Sequence, residues 1–344
     1  MIFVGMDVHY KTTTCCLFDP LRPAEQQYRF VTCETTAHGI GQVLSPLGGD
    51  CKVAFEVGTQ TQWVASIVRP LAREVQVANP SRIPWLFRDG RKNDRLDARK
   101  LAILLHMDQL PKVHLPSGAV SHWRSLINFR RSLVQQRTAI KIRVRALLRA
   151  RGLRYGRRNL WTRVGMMWVG EQVTDDVGHL MATSLLVELQ AKNAQVLTVE
   201  KQLEQIARQH PGVDVLQSIP GIGPRTAEAI VAYADDVRRF ARGRQFASYF
   251  GLTPTEDTSA GVVRRGHISK HGPSVVRWLL VEATHQVVRC CPAFAAFFAR
   301  VHRGDKNRKK KAIVATARKI LTVVFGMLRD GTIFDPNQVM GEAA

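Results

Sequence analysis

Three things are scarce in this chain of 344 residues: long apolar runs, paired cysteines and acids. No hydrophobic stretch approaches the roughly 20 residues of a helical membrane span. The N-terminus opens directly into a strand-like pattern, with no basic start and no apolar signal core, so no signal peptide is expected. Six cysteines (15, 16, 33, 51, 290, 291) form no Cys-x-x-Cys pair and no zinc spacing. Adjacent pairs such as Cys15-Cys16 are poor disulfide partners, which points to a reducing, cytoplasmic setting. Asp and Glu number 28 against 50 Lys and Arg, leaving a net charge of +22. Residues 109–170 contain no acid at all, yet hold 14 Lys or Arg. Such a field excludes an acid-rich binding surface and favours a polyanion, nucleic acid ahead of an anionic membrane.

Against that background, four carboxylates stand out. Asp7 interrupts the apolar run Ile2–Val8, and Glu56 ends another, Val53-Ala54-Phe55-Glu56. Asp94 and Asp97 lie three apart, so they share a helix face. An unpaired acid within an apolar strand is costly. Asp7 is therefore either an exposed edge-strand residue or a metal ligand on a central strand. Glu56, Asp94 and Asp97 have an alternative as acids that complement a helix N-terminus, with Asp94 also a candidate cap. A strand carrying Asp and followed by a hairpin through Thr12-Thr13-Thr14 is typical of ribonuclease-H-like folds. Hard oxygen ligands suit Mg²⁺, with Mn²⁺ as the alternative. Two such ions about 4 Å apart stabilise both oxygens of a phosphoryl displacement. Arg91, Lys92, Arg95 and Arg99 surround this stretch as candidate backbone grips.

Patterning divides the chain into three. Residues 1–110 alternate strand and helix, with strands expected at Ile2–Val8, Thr12–Phe18, Gln27–Thr32, Lys52–Val57 and Val75–Val77. Helices are expected near Ala37–Leu47, Thr61–Arg73 and Asp94–His106. Residues 111–212 hold two long helical patterns, 123–151 and 184–209, expected to form a coiled-coil arm for self-association. The first carries Arg130, Arg131, Arg137, Lys141 and Arg145 as candidate phosphate contacts, or as a solvated face. Trp123, Phe129 and Trp161 are stacking candidates, though helical spacing favours the core. Residues 213–344 are mostly helical, with helices expected at Ser274–Arg289 and Ala312–Arg329. In this third part, Pro220-Gly221-Ile222-Gly223 resembles a helix–hairpin–helix turn. Gly221 and Gly223 would there let backbone N–H groups approach a phosphate, or serve packing alone. Thr255–Gly272 reads as a loop presenting Ser259 among Arg264, Arg265 and Lys270. A basic loop, Arg303–Lys311, includes Lys309 and Lys310.

The residues that decide among these readings form blocks in a fixed order. They are Gly5-Met6-Asp7, Phe55-Glu56-Val57-Gly58-Thr59 and Asn93-Asp94-Arg95-Leu96-Asp97-Ala98-Arg99, then Ile219-Pro220-Gly221-Ile222-Gly223, Phe246–Pro254 and Gly266-His267-Ile268-Ser269-Lys270-His271-Gly272. In these blocks the chain resembles the DEDD-type transposases of bacterial insertion sequences, a family that includes the pilin-gene invertases. The resemblance implies an α/β N-terminal RuvC-like (ribonuclease-H-like) domain with a metal tetrad of Asp7, Glu56, Asp94 and Asp97. It implies a mostly α-helical C-terminal transposase domain with a serine nucleophile, which falls on Ser259, five residues after Thr253-Pro254. It further implies recombination of donor and target double-stranded DNA through a phosphoserine link, a noncoding bridge RNA, and a dimer or tetramer. Departures include Val57-Gly58-Thr59 where the family has Ala-Thr-Gly, and Thr258 and Ala260 flanking the serine. Competing expectations are a RuvC-like nuclease or junction resolvase that uses water, and a non-catalytic nucleic-acid-binding protein.

Overall fold

The computed structural model describes residues 1–79, 93–259 and 262–340. The chain divides into two compact units, Met1–Ser121 and His122–Ala344.

The first unit is built on a five-stranded mixed sheet in the order β3-β2-β1-β4-β5. Its strands are β1 (Ile2–Val8), β2 (Thr12–Phe18), β3 (Tyr28–Glu34), β4 (Gly49–Glu56) and β5 (Ala72–Ala78). β1, β2 and β3 form an antiparallel meander, while β1, β4 and β5 run parallel. β1 is therefore central, consistent with the ribonuclease-H-like opening expected of the sequence. Alternation assigns the faces. Val4, Met6, Val53 and Phe55 share one core with Ile40, Val43 and Leu44 of α1 (Ala37–Leu44), and with Val64, Ala65 and Val68 of α2 (Thr61–Val68). α2 is shorter than its pattern suggests, because Pro70 falls in a 3-10 turn, Arg69–Leu71, that leads into β5. The opposite face is covered by α3 (Asp94–His106), with Ala98, Leu101, Ala102, Leu104 and Leu105 buried.

Gly5 explains how close α3 comes. A Cβ at this position would lie 2.0 Å from the Ala98 carbonyl oxygen and 2.6 Å from the Ala102 nitrogen. Only a residue without a side chain lets the helix backbone rest directly on the central strand.

In the second unit, α4 (Gly118–Ala150, whose first turn belongs to the first unit) and α6 (Asp176–Ala207) lie antiparallel. Trp123, Ile127 and Leu133 share a core with Val196, Val199 and Leu203. Val144, Leu147 and Leu148 share another with Ala182 and with Val169 of α5 (Arg163–Gln172). Ion pairs Arg130–Glu200 and Arg151–Asp175 mark the same antiparallel register. Helices α7 (Gly212–Gln217), α8 (Pro224–Ala234), α9 (Gly243–Tyr249), α10 (Ser274–Cys290), α11 (Pro292–His302) and α12 (Lys309–Asp330) complete the larger core. Among the described residues, no helix is long and apolar enough to cross a membrane.

Two expectations are corrected here. Residues 255–272 are not a plain loop: β6 (Pro254–Ser259) and β7 (Val262–Ile268) pair as an antiparallel ribbon. The Thr and Val residues of both arms suit a pleated backbone. The basic stretch 303–311 is likewise not all loop. A 3-10 turn spans Lys306–Arg308, and Lys309 begins α12, so the lysine run occupies that helix's first turn.

Candidate metal centre and serine ribbon

The acids gather at the end of the sheet where β1 and β4 finish. The parallel register pairs Gly5 with Ala54 and Met6 with Phe55, which carries Asp7 and Glu56 to neighbouring positions. Phe3 and Ala54, on the α3 side, fix that side as the one Asp7 and Glu56 face. On α3, Asp94 and Asp97 extend the buried stripe of Ala98 and Leu101 toward the helix start. Asp94 is not the cap. Asn93 fills that role, its side chain accepting a hydrogen bond from the Arg95 N–H at 3.0 Å. The Asp94 carboxylate is thus spared for the site.

Electrostatics show that Asp7 feels two of the other acids. Asp7 has its carboxyl held above the ordinary range, first by burial and then by Asp94 and Asp97, with His9 opposing the rise. His9 sits between them: its Nε2 lies 3.3 Å from Asp7 Oδ2 and 3.6 Å from Asp94 Oδ1. Candidate donor atoms of Asp7, His9 and Asp94 all fall within 4.8 Å of one another. Sequence reasoning passed over His9. Its place two residues after Asp7, just past the end of β1, was the available signal.

A partly buried Asp7 set close to the exposed Asp94, against their repulsion, fits a hard divalent cation, which would offset that repulsion. Among the described residues the donor atoms brought together are those of Asp7, His9 and Asp94; Asp97 acts on Asp7 electrostatically, and Glu56 ends the adjoining strand.

The cations flanking this site are partly engaged. Arg95 lies 5.8 Å over Phe30, and Arg99 4.2 Å over Tyr28, both exposed. Arg91 and Lys92 fall outside the described residues. On α4, Arg130 is committed to Glu200, and Arg131 donates to Ser274 Oγ at 3.0 Å. Arg137, Lys141 and Arg145 are spaced four apart on one face. Burial, then Arg137 and Arg145, depress the Lys141 ammonium below its usual range. Lys141 and Arg145 cover the Trp161 ring at 5.1 and 5.5 Å. Trp123 is a core residue stacked on His210, whereas Phe129 is exposed.

Ser259 ends β6 and pairs with Val262, beside the ribbon's tip. The ribbon is held at its base. Gly251 and Gly272 both take positive φ, and a Cβ on either would strike His271 O or Tyr249 O at 2.2 and 2.0 Å. Arg277, which the sequence did not single out, donates through Nη1 to the carbonyls of His271, Gly272 and Phe250. Lys270 has φ of +56° at this crossing and is exposed, as is Arg264. The side chain of Arg265 is outside the described set.

The two glycines of the Pro-Gly-Ile-Gly turn separate in role. Gly221 (φ +96°) lies against the α10 backbone, where a Cβ would meet Val287 N at 2.6 Å, so it is required for packing. Gly223 caps α8 in the open, with nothing within 4 Å of an added Cβ. Lys309 and Lys310 are exposed at the start of α12.

Comparison with known proteins gives this geometry a family. A model described as "Transposase" and labelled DEDD, IS110, matches residues 4–151, and one described as "Transposase IS116/IS110/IS902 family" matches residues 213–299. A "Probable family 20 transposase" of Pseudomonas aeruginosa is 31% identical over 297 residues, covering 83% of this chain and 86% of the relative. The "Transposase for insertion sequence element IS1111A" of Coxiella burnetii is 26% identical, covering 81% and 77%. A "Pilin gene-inverting protein" of Moraxella lacunata is 31% identical over 123 residues, covering 35% and 38%. By motif order, sheet topology and similarity over most of its length, the chain belongs to the IS110 family of transposases.

Proposed function

We propose that this transposase cuts and rejoins double-stranded DNA with Ser259 as nucleophile and a divalent-metal site formed by Asp7, Glu56, Asp94 and Asp97. The observation that carries the reading is the gathering of Asp7, Asp94 and Asp97 at one end of a sheet in a chain of net charge +22. Mg²⁺, or Mn²⁺ in its place, would supply electrostatic stabilisation of a phosphate's developing charge.

The chain's own groups supply the rest. Ser259 Oγ forms one ester bond to phosphorus as one deoxyribose oxygen leaves. The number of phosphoester bonds is unchanged, so the reverse step rejoins DNA without ATP. A serine hydroxyl is a weak nucleophile at its ordinary pKa and needs activation. Arg264, Arg265 and Lys270 share the ribbon and its base, and would neutralise charge on the phosphate. Arg137, Lys141 and Arg145 would track a nucleic acid backbone, as would Lys309 and Lys310. Gly223 offers an open helix start to a phosphate. Family resemblance adds a bridge RNA linking donor and target DNA, and assembly as a dimer or tetramer through the long helices. It also supports a three-part working division at 1–110, 111–212 and 213–344, and action in the cytoplasm. The name of the Moraxella relative, a pilin gene-inverting protein, supports a rearrangement of DNA.

Denaturing gels of reactions on supercoiled donor and target plasmids test the reading. Wild type forms a protein–DNA adduct and joined product, and Ser259→Ala forms neither. Cleavage that persists in Ser259→Ala would replace the reading with a metal-dependent nuclease that uses water. Nucleic acid binding with no adduct, cleavage or joined product in wild type, and no change in any of these readouts in Asp7→Asn or Asp94→Asn, would leave only a nucleic-acid-binding protein.

A further inference from the structure

His9 is placed with more care than a turn residue needs. Its backbone is satisfied without the ring: His9 N–H donates to the Thr12 carbonyl at 3.0 Å, and its carbonyl accepts from Thr35 Oγ1 at 2.8 Å. Thr35 is itself buried and joined to Thr13 Oγ1 at 2.8 Å. These bonds fix the Cα of His9 at the end of β1 whatever its side chain is. The imidazole is 46% exposed and could turn to water, yet Nε2 points at the carboxylates of both β1 and α3. Asp7, His9 and Asp94 thus present two oxygens and one nitrogen, from the end of β1 and the start of α3, within 4.8 Å. That mixed set differs from the all-oxygen tetrad.

We propose that His9 is a further ligand of this site, binding the cation through Nε2, and that it makes the site prefer Mn²⁺ to Mg²⁺. The inference rests on the metal reading of the same cluster. Its chemistry follows from the donor. Mg²⁺ is small, hard, and keeps water and oxygen ligands. Imidazole raises affinity for transition metals more than for Mg²⁺, and Mn²⁺ accepts both donor types. The Thr12 and Thr35 bonds play the supporting role that outer partners play around metal ligands, fixing the direction from which the ring arrives.

The test is metal binding to the full chain, read without reference to recombination. Pulsed electron paramagnetic resonance on the Mn²⁺-loaded protein reports whether nitrogen is coordinated, and titration calorimetry reports affinity for each ion. Wild type shows the ¹⁴N coupling of a directly bound imidazole. His9→Gln loses that coupling and about tenfold or more in Mn²⁺ affinity, while Mg²⁺ affinity changes by less than about threefold. Mn²⁺ binding that is abolished by Asp94→Asn, but shows no nitrogen coupling in wild type, overturns the inference and leaves the carboxylate site standing. His9 would then only brace the two acids. Mn²⁺ binding indifferent to Asp94→Asn overturns the metal reading and this inference with it. The wild-type spectrum decides ligation even where a variant fails to fold.

Discussion

The acidic end of the sheet and the basic face of α4 are mirror images in electrostatic terms. In the first, burial and neighbouring Asp94 and Asp97 make the charged form of Asp7 costly. In the second, burial and neighbouring Arg137 and Arg145 do the same to Lys141. Folding alone does not favour either cluster, since like charges brought together repel. In the proposed function each would be relieved by a partner of opposite charge, a metal cation for one and a phosphate chain for the other. The difference lies in how they are held. The acids come from two strands and a helix fixed over Gly5, and so address one point. The cations come from successive turns of one helix, and so address a line. A point suits chemistry at a single phosphate, and a line suits grip along a backbone.

Disabling the point should have the largest effect. Asp7→Asn or Asp94→Asn should lower strand transfer by about a thousandfold, with nucleic acid affinity near wild type in gel shifts. The comparison breaks if these variants lose binding rather than chemistry. Disabling the line comes next. Combined Arg137→Ala, Lys141→Ala and Arg145→Ala should weaken nucleic acid binding about a hundredfold near 0.15 M salt. It should also lower the slope of log affinity against log salt by about 2–3. Metal affinity should not change.

The smallest effect separates burial from like-charge crowding. Glu228 of α8 is 1% exposed, and burial pushes its carboxyl up to about 7, although the Arg225 guanidinium lies 3.1 Å away. A carboxyl raised in the folded state binds its proton more tightly there than in the unfolded chain. Stability is therefore lost as pH rises from about 4.5 through about 7, and Glu228→Gln should remove that loss. The variant should gain up to about 3 kcal/mol over wild type at pH 8 and nothing near pH 4, as followed by calorimetric melting.

Much of the acidic site was legible because its logic is local. An acid in an apolar strand and two acids three apart are statements about neighbours in sequence, and α3 was expected at Asp94–His106, where it lies, though its cap was placed one residue late. What escaped depends on contacts between distant segments. His9 is set by contacts that include one from a distant segment, Thr35, just past the end of β3, which holds its carbonyl. Gly221 reads as a phosphate-approach glycine until α10 is seen against it. The ribbon 254–268 looked like a loop because its Gly, Ser and charged residues hide the pairing, and its anchor Arg277 lies in the next helix.

That ribbon has a mechanical consequence. Its six-residue first arm spans at most about 20 Å from the glycine crossing to Ser259. Its base is fixed by Arg277, which holds the carbonyls of Phe250, His271 and Gly272. In the proposed function the backbone of Ser259, at the end of β6, would be carried at that reach from the fixed base. Strand exchange through a phosphoserine, as proposed, would use such a reach, because the serine would hold one DNA end while its new partner arrives.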